Sequence, residues 1–214
     1  MATAKKTFSK GIILLLALFI FLLAFVFIIQ SPTTKMIPKD LIAVLRPVAI
    51  PLKPFSLIDT NEQAFTGKNF KQKWSFVFFG YTHCPDICPT TLVTLKHINK
   101  ALEKYPQAKS DFQVVFVSVD PERDSPKNLA SYIAFFNRDF IAVTGLAEKL
   151  KDFAKQFSAA YIKEASEMPG DYLMSHTSSI FLVNPKTELV ASFSPPHSVE
   201  TITEQYLKIY NMNQ

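Results

Sequence analysis

The stretch that most constrains the fold runs from residue 79 to residue 90, because it holds both cysteines of the chain, Cys84 and Cys88. The preceding run 74–79 is short, aromatic and β-branched, as expected for a buried strand. After the cysteines, apolar side chains recur at helical spacing, at Leu92, Leu95, Ile98 and Leu102. The sequence therefore predicts a strand, a short connection that carries two thiols, and a helix.

Thiols at such a junction are chemically active. A helix N-terminus lowers the pKa of a nearby thiol and favours the thiolate, the form that attacks disulfides and binds metals. Positions i and i+4 of a helix share a face, so the sulfurs of Cys84 and Cys88 are predicted to converge. The spacing alone leaves electron transfer and metal binding equally open.

The rest of the chain predicts an α/β fold. A second buried strand at 112–119 follows the cysteine helix (88–105), and strand–helix–strand implies a parallel pair. The loop 106–110 separates that helix from that strand, and a long loop or hairpin is expected at 159–174. Further helices are predicted at 126–137, 146–157 and 199–210, a short apolar segment at 141–143, and hairpins near 55–65 and 179–193. This order is typical of a thioredoxin-like mixed sheet flanked by helices, with an N-terminal extension hairpin.

An apolar segment precedes this domain. Residues 11–29 contain no charge and, as a helix, would extend about 28 Å, close to the hydrocarbon thickness of a membrane. Lys5, Lys6 and Lys10 precede the segment, which predicts a cytoplasmic N-terminus at 1–10 and a single-pass transmembrane anchor at 11–29. A cleaved signal peptide is the alternative, but no small-x-small cleavage site follows the segment.

The residues between anchor and domain, 30–53, contain prolines at 32, 38, 47 and 51 and predict an extended spacer with a short helix near 40–45. The folded domain is predicted at 54–214. It would lie in the periplasm, held at the inner membrane, or in the intermembrane space of a mitochondrion. Without the three N-terminal lysines the net charge of +5 falls to +2, which argues against nucleic acid as a partner.

A histidine distinguishes this cysteine pair from ordinary redox pairs. Thiol-disulfide exchange proteins usually have two residues between the cysteines and a proline ahead of a late strand. Here three residues intervene, and the corresponding segment 175–178 carries His176 and no proline. Two thiolates and one imidazole form a soft set of three ligands that favours copper, above all Cu(I), whereas a structural zinc site needs a fourth ligand. Spare histidines stand at His83, His97 and His197, and we expect them to be exposed or to lie near a helix cap.

Three separated blocks resemble one known family. Gly80-Tyr-Thr-His-Cys-Pro-Asp-Ile-Cys-Pro, Ser118-Val-Asp-Pro-Glu-Arg-Asp-Ser-Pro and His176-Thr ahead of Phe-Leu-Val-Asn-Pro occur in the order typical of SCO/SenC proteins. That resemblance implies a membrane-anchored, thioredoxin-like copper protein that assists assembly of the Cu(A) centre in subunit II of cytochrome c oxidase. It also implies Cys84, Cys88 and His176 as ligands of copper, Cu(I) with Cu(II) as an alternative, and an upstream copper donor as a second partner.

The chain departs from the family pattern beside the histidine. The family usually carries an acidic residue immediately before it, where this chain has Ser175. A carboxylate there would orient the imidazole or balance its charge. Asp171 is a candidate substitute, and the exchange is expected to alter copper affinity or partner recognition.

Other residues near the motifs have two readings each. Asp86 and Asp120 match acidic positions of the family, and Asp120 would serve either partner docking or a turn. Met168 and Met174 flank His176 and could offer a thioether, although flexible packing is the simpler interpretation.

Taken together, the sequence predicts a membrane-tethered copper chaperone. The alternative is a thiol-disulfide oxidoreductase in which Cys84 and Cys88 form a redox pair that keeps target cysteines reduced for metallation. Whether the protein is an enzyme is therefore left open. A peroxidase of the peroxiredoxin type is a weaker third interpretation, because the residues around Cys84 lack a matching pattern.

Overall fold

The structure, a computed structural model, describes residues 10–30, 37–165 and 172–213. The chain divides into two compact units, Met1–Ile37 and Pro38–Gln214. In the first unit the described part is helix α1 (Lys10–Gln30). Among the described residues, no helix combines the length and the hydropathy that crossing a membrane requires. The transmembrane anchor predicted at 11–29 is thus not confirmed.

The second unit is built on one eight-stranded sheet. Its strands are β1 (Leu45–Pro51), β2 (Leu57–Asp59), β3 (Ala64–Phe65), β4 (Trp74–Gly80), β5 (Phe112–Ser118), β6 (Ile141–Thr144), β9 (Ile180–Val183) and β10 (Glu188–Phe193). They lie in the order β1-β10-β9-β4-β5-β6-β2-β3. The β4–β5 and β5–β6 pairs are parallel and the other pairs are antiparallel. The predicted mixed sheet and both predicted hairpins are confirmed.

Five helices accompany the sheet in the described part of this unit: α2 (Ile87–Ala101), α3 (Pro106–Ser110), α4 (Pro126–Phe136), α5 (Ala147–Gln156) and α6 (Val199–Met212). The four long ones are the predicted helices, with ends that differ by a few residues. Helix α3 replaces the loop expected at 106–110, because Pro106 is well suited to the first position of a helix. Ser125 caps α4 as predicted, since its hydroxyl accepts a hydrogen bond from the amide of Asn128 at 3.3 Å.

The helices cover both faces of the sheet. All seven residues of β4 are buried, as in a strand with a layer on each side. The ring centre of Phe76 lies 5.4 Å from that of Tyr206 in α6, whereas the ring centre of Phe79 lies 6.0 Å from that of Phe153 in α5 and 5.3 Å from that of Phe157, the residue that follows α5. Because side chains three apart on a strand point to opposite faces, α6 and α5 lie on opposite sides. The ends of β4 and β5 are therefore fixed within a packed core.

Strand β1 differs from the sequence prediction. The residues 30–53 were expected to form an extended spacer, but 45–51 add an edge strand to the sheet by pairing antiparallel with β10. Leu41 ahead of it is fully buried. Prolines at 47 and 51 are compatible with this position, because an edge strand leaves one row of backbone groups unpaired.

A separate two-stranded sheet forms from the region predicted as a long loop or hairpin. Strands β7 (Tyr161–Ala165) and β8 (Tyr172–His176) pair antiparallel, with Tyr161 opposite His176. The predictions for Met168 and Asp171 fall outside the described residues. We call this element the β7–β8 hairpin. It places His176 at the end that lies next to the main sheet.

Candidate metal centre

The structure brings Cys84, Cys88 and His176 together. One ligand atom from each side chain, two sulfurs and one ring nitrogen, lies within 4.8 Å of the others. Cys88 Sγ and His176 Nε2 are 3.3 Å apart. Bonds of about 2.0–2.3 Å to one metal ion would place three such atoms roughly 3.5–4 Å from one another. The donor set therefore fits a single ion of the soft, thiolate-binding kind. We call these three residues the thiol–imidazole group.

Cys88 is fixed by close packing. It lies in the first turn of α2 and is fully buried. Gly80, the last residue of β4, lies against it, so a Cβ added at Gly80 would stand 2.7 Å from Cys88 Sγ and 2.8 Å from Phe116 Cε2. Only glycine leaves room for the sulfur at this point.

Cys84 precedes the helix. Helix α2 begins at Ile87, and Cys84 lies in a turn in which its amide donates a hydrogen bond to the carbonyl of Tyr81 at 3.3 Å. The sulfurs therefore converge because this turn folds back over the helix start, and the prediction that both cysteines share one helix face is wrong. Cys84 is half-buried, which leaves its sulfur more accessible than that of Cys88.

The two thiols differ in acidity. A hydrogen bond from the Cys88 thiol is the largest cause that holds the pKa of Cys84 far below its ordinary value, and it outweighs the opposing effect of burial. The pKa of Cys88 is raised, first by its hydrogen bond to Cys84 and then by burial. The pair therefore holds one proton at neutral pH, with the thiolate on Cys84 and the proton on Cys88.

His176 presents one nitrogen to the sulfurs. Its Nδ1 lies 3.2 Å from the carbonyl oxygen of Thr177, which can only accept a hydrogen bond. The tautomer assigned from this contact carries its proton on Nδ1 and leaves the lone pair of Nε2 directed at Cys88. The rings of Phe78 and Tyr81 meet the imidazole edge-on at 6.0 and 5.9 Å. These rings restrict its orientation, and sequence reasoning did not identify them.

The remaining histidines lie outside the thiol–imidazole group. His83 and His97 are exposed, as predicted. His83 Nδ1 is 3.0 Å from the hydroxyl of Thr82. His197 is half-buried, its Nε2 lies 3.2 Å from the carbonyl of Phe193, and burial lowers its pKa.

The acidic group missing from position 175 has a counterpart on the facing strand. The hydroxyl of Ser175 donates a hydrogen bond to the carboxylate of Glu164 on β7. Glu164 gave no signal in the sequence, because only the pairing of β7 with β8 brings it near. Met174, beside Ser175, is buried in the core, in agreement with the packing interpretation.

Two acidic residues of the second block, Asp120 and Asp124, are buried, whereas Glu122 between them is exposed. Asp120 and Asp124 are 2% and 0% accessible, so neither carboxylate is available for docking a partner. The amides of Arg123 and Asp124 donate to the carbonyl of Asp120 at 3.3 and 2.9 Å, which confirms the turn. Asp86, in contrast, is exposed and accepts a hydrogen bond from the Thr90 hydroxyl at 3.4 Å.

The fold and this group define a class: an α/β domain with a thiol pair at a strand-to-helix junction and a histidine that completes a candidate metal site. The particular family follows from comparison. The SCO1/SenC family model matches residues 47–211, and the chain belongs to that family.

Curated relatives agree with this assignment. The chain is 36% identical over 156 residues to the mitochondrial SCO1 homolog 1 of Arabidopsis thaliana, with 72% of this chain and 46% of that protein covered. It is 35% identical over 140 residues to a putative copper-binding protein of Stutzerimonas stutzeri, with 65% and 67% covered. The chain thus spans about half the length of the Arabidopsis relative.

Solved structures share the thioredoxin-like fold. The copper-bound ScoI of Arabidopsis thaliana superposes with a TM-score of 0.70 at 34% identity, and the match covers 75% of this chain and 98% of that one. Copper-bound yeast Sco1 gives a TM-score of 0.69 at 28% identity, with 76% and 89% covered.

Proposed function

We propose that this protein binds one copper ion, chiefly as Cu(I), through Cys84, Cys88 and His176 and delivers it to a copper site of cytochrome c oxidase. The observation that carries the proposal is the convergence of two sulfurs and one imidazole nitrogen within 4.8 Å from three separate positions in the chain. The copper named for a relative and for two solved structures of the family supports the choice of metal.

The chemistry of the donor atoms favours copper over other ions. Thiolate and imidazole are soft or intermediate donors that select Cu(I) and exclude hard cations such as Mg²⁺ or Ca²⁺. A structural zinc ion needs four protein ligands, and the described residues contain no fourth cysteine, histidine or carboxylate in this group. When Cu(I) binds, Cys88 releases the proton that it shares with Cys84, so binding is coupled to proton release.

The difference in exposure between the sulfurs suggests how copper leaves. An incoming thiolate from the acceptor reaches the ion on the side of half-buried Cys84, and its new Cu–S bond replaces the bond to Cys84. A second exchange replaces Cys88, which takes up a proton again, and a third ligand of the acceptor replaces His176, so that the ion leaves this protein. The copper remains Cu(I) throughout, and three coordination leaves space for each incoming ligand.

Membership of the SCO1/SenC family supports a proposal for the recipient and the location. We propose that the acceptor is the Cu(A) site of oxidase subunit II, that an upstream donor loads the protein, and that the domain lies in the periplasm or the mitochondrial intermembrane space. The uncharged run 11–29 supports membrane attachment. Alkaline carbonate extraction of membranes tests this part: the full chain should stay in the pellet, and a chain without 11–29 should not.

Anaerobic titration of the full chain with Cu(I) against a chromophoric chelator tests the proposal. We expect one tightly bound ion per chain, lost on Cys84→Ser or Cys88→Ser and weakened about 100-fold or more by His176→Ala. The control is His97→Ala, since His97 is an exposed histidine on α2 outside the group. Wild-type affinity in His176→Ala would contradict the proposed site.

A thiol-disulfide reductase is the second candidate, and the lowered pKa of Cys84 supports it. In that reaction the Cys84 thiolate attacks a target disulfide and forms a mixed disulfide while one target thiolate leaves. Cys88 then loses its proton and attacks Cys84, so that the target dithiol is released and a Cys84–Cys88 disulfide forms. Rapid reduction of a target disulfide by apo protein, together with copper binding unaffected by His176→Ala, would favour this candidate over the chaperone.

A further inference from the structure

The five residues 120–124 form one tight turn after β5. This turn contacts the β7–β8 hairpin, which carries His176, and the turn after β4, which carries Cys84. We call residues 120–124 the bridging turn. The Asp124 amide closes it on the carbonyl of Asp120 at 2.9 Å, and the carboxylates of both residues are buried. Buried carboxylates remain in a fold only when hydrogen-bond donors compensate for their lost hydration. The donors that surround these two come from different parts of the site.

Asp120 and Arg123 hold the β7–β8 hairpin. The hydroxyl of Tyr172, on β8, donates to Asp120 Oδ1 at 2.6 Å, and Arg123 Nη1 donates to the Tyr172 carbonyl at 3.0 Å. The Arg123 guanidinium lies 3.5 Å from the centre of the Tyr172 ring while its Nε donates to Asp120 Oδ2 at 2.5 Å. A charge-assisted pair and a stacked guanidinium in one place fix orientation as well as distance. His176 is the last residue of the strand fixed in this way.

Asp124 holds the turn that carries Cys84. Its carboxylate accepts hydrogen bonds from the Thr82 amide at 3.0 Å, from the Thr82 hydroxyl at 2.5 Å and from the Ser118 hydroxyl at 2.6 Å. Thr82 lies two residues before Cys84 in the turn that follows β4. The carboxylate thus ties this turn to the end of β5 by three bonds.

We propose that the bridging turn is the positioning element of the metal site: Asp120 and Arg123 set the place of His176 through Tyr172, and Asp124 sets the place of Cys84 through Thr82. The inference rests on the proposed function for its copper readout. The turn contributes no ligand atom itself. Its role is to fix the separation between one sulfur and the imidazole, which belong to segments about ninety residues apart.

The test removes one hydroxyl from each arm. Tyr172→Phe deletes the hydroxyl contacts to Asp120 and, at 3.3 Å, to Glu122 of the same turn, and keeps the ring under Arg123. Thr82→Val deletes one bond to Asp124. The matched control is Tyr210→Phe on α6. This variant deletes another tyrosine–aspartate hydrogen bond, from the Tyr210 hydroxyl to Asp111 at 2.9 Å. Cu(I) affinity of the full chain is measured by competition with a chelator.

We expect Tyr172→Phe to weaken Cu(I) binding roughly 5- to 10-fold and Tyr210→Phe to leave it unchanged. In a His176→Ala background, where Cu(I) affinity is measured with a weaker chelator, Tyr172→Phe should not weaken Cu(I) binding further, because it acts through the imidazole. Equal weakening in both backgrounds, or by both tyrosine variants, would overturn the inference.

A second readout needs no copper. In NMR spectra of the apo protein, Tyr172→Phe should shift the ring signals of His176 and leave the Cβ signal of Cys84 in place, whereas Thr82→Val should do the reverse. Shifts at both sites from either variant, or at neither, would refute separate control of the two arms. If wild-type protein bound no Cu(I), the proposed function would fail, and these apo spectra would still decide the inference.

Discussion

The two regions that supply the thiol–imidazole group are built on different principles. The cysteine side lies inside the core, where the fully buried Cys88 packs against Gly80 at the end of a strand covered on both faces. The histidine side is a two-stranded hairpin with exposed residues, such as Ile162 and Leu173 at 66% and 48% accessibility. Apolar packing fixes Cys88 in the first region, whereas polar contacts with the bridging turn fix the second region and, through Thr82, the turn that carries Cys84.

The two regions therefore differ in how strongly they resist displacement. Close packing resists displacement, because every lost contact between buried atoms costs dispersion and hydrophobic energy. The hairpin is held to the rest of the domain by a few polar contacts such as the bond from Tyr172 to Asp120, worth about 1.5–3 kcal/mol each because one partner is charged. Of the two regions, the hairpin is therefore the one that can move while the rest of the fold stays intact.

The largest effect is expected from the acidity of the two sulfurs on the cysteine side. Because the fold lowers the pKa of Cys84, its thiolate persists as the pH falls from 8 to 6 and is lost only when the pH passes below that lowered value. Alkylation of Cys84 by iodoacetamide in the apo protein should change less than about twofold over this range. An ordinary thiol loses roughly 50- to 100-fold of its thiolate over the same interval. Mass spectrometry of the labelled peptides measures the rate of Cys84 alkylation at pH 8 and at pH 6.

The control for this measurement is the same chain in denaturant, where the ordinary pH dependence of both cysteines should return. A steep decline at Cys84 in the native protein would show that Cys88 does not stabilise its thiolate.

Gly80→Ala is expected to have the next largest effect, again on the cysteine side. The added methyl would lie 2.7 Å from Cys88 Sγ and 2.8 Å from Phe116, so the packed core must shift. We expect the free energy of unfolding to fall by about 1–3 kcal/mol, measured by urea denaturation. Gly67→Ala is the matched control, because its nearest neighbour is Thr187 Cγ2 at 3.6 Å, an ordinary contact. Equal losses in both variants would contradict this account of the site.

The smallest effect is expected on the hairpin side. Glu164→Gln removes the charge that the Ser175 hydroxyl contacts and leaves the backbone pairing unchanged. Cu(I) affinity of the full chain should fall about 2- to 5-fold, since the carboxylate acts on the imidazole only through its neighbour. Glu103→Gln, which removes the same charge beyond the far end of α2, is the control. An unchanged affinity in Glu164→Gln would mean that the acidic group does not contribute from this strand.

Local patterns explain why the cysteine side could be predicted from sequence. The strand, the turn and the helix that hold Cys84 and Cys88 are adjacent in the chain, and their apolar periodicity marks each of them. The placement of both cysteines at the connection between strand and helix was predicted, but the turn in which the Cys84 amide bonds to the Tyr81 carbonyl was not, because spacing does not reveal the hydrogen bonds of a connection. His176 was identified by the absence of a proline and by the resemblance to a family.

Long-range pairing explains what could not be predicted. Strand β1 pairs with β10 about 140 residues later, and its prolines favour the interpretation as a spacer. The bonds from Tyr172 to Asp120 and from Ser175 to Glu164 join residues 52 and 11 positions apart, at distances that follow only from the folded hairpin. The periodicity of a sequence carries no information about such pairs.

The base of the β7–β8 hairpin has a mechanical consequence. Thr177 and Ala160 are joined there: the Thr177 amide donates to the Ala160 carbonyl at 2.9 Å, and the Ala160 amide donates to the Thr177 hydroxyl at 3.0 Å. His176 is the next residue outward. Tyr172 lies four residues further along, roughly 14 Å from His176 at the rise of a strand. If the hairpin turns about its base, the imidazole travels only a fraction of the distance travelled at Tyr172. A large displacement of the hairpin at Tyr172 would then produce only a small displacement of the imidazole nitrogen of His176.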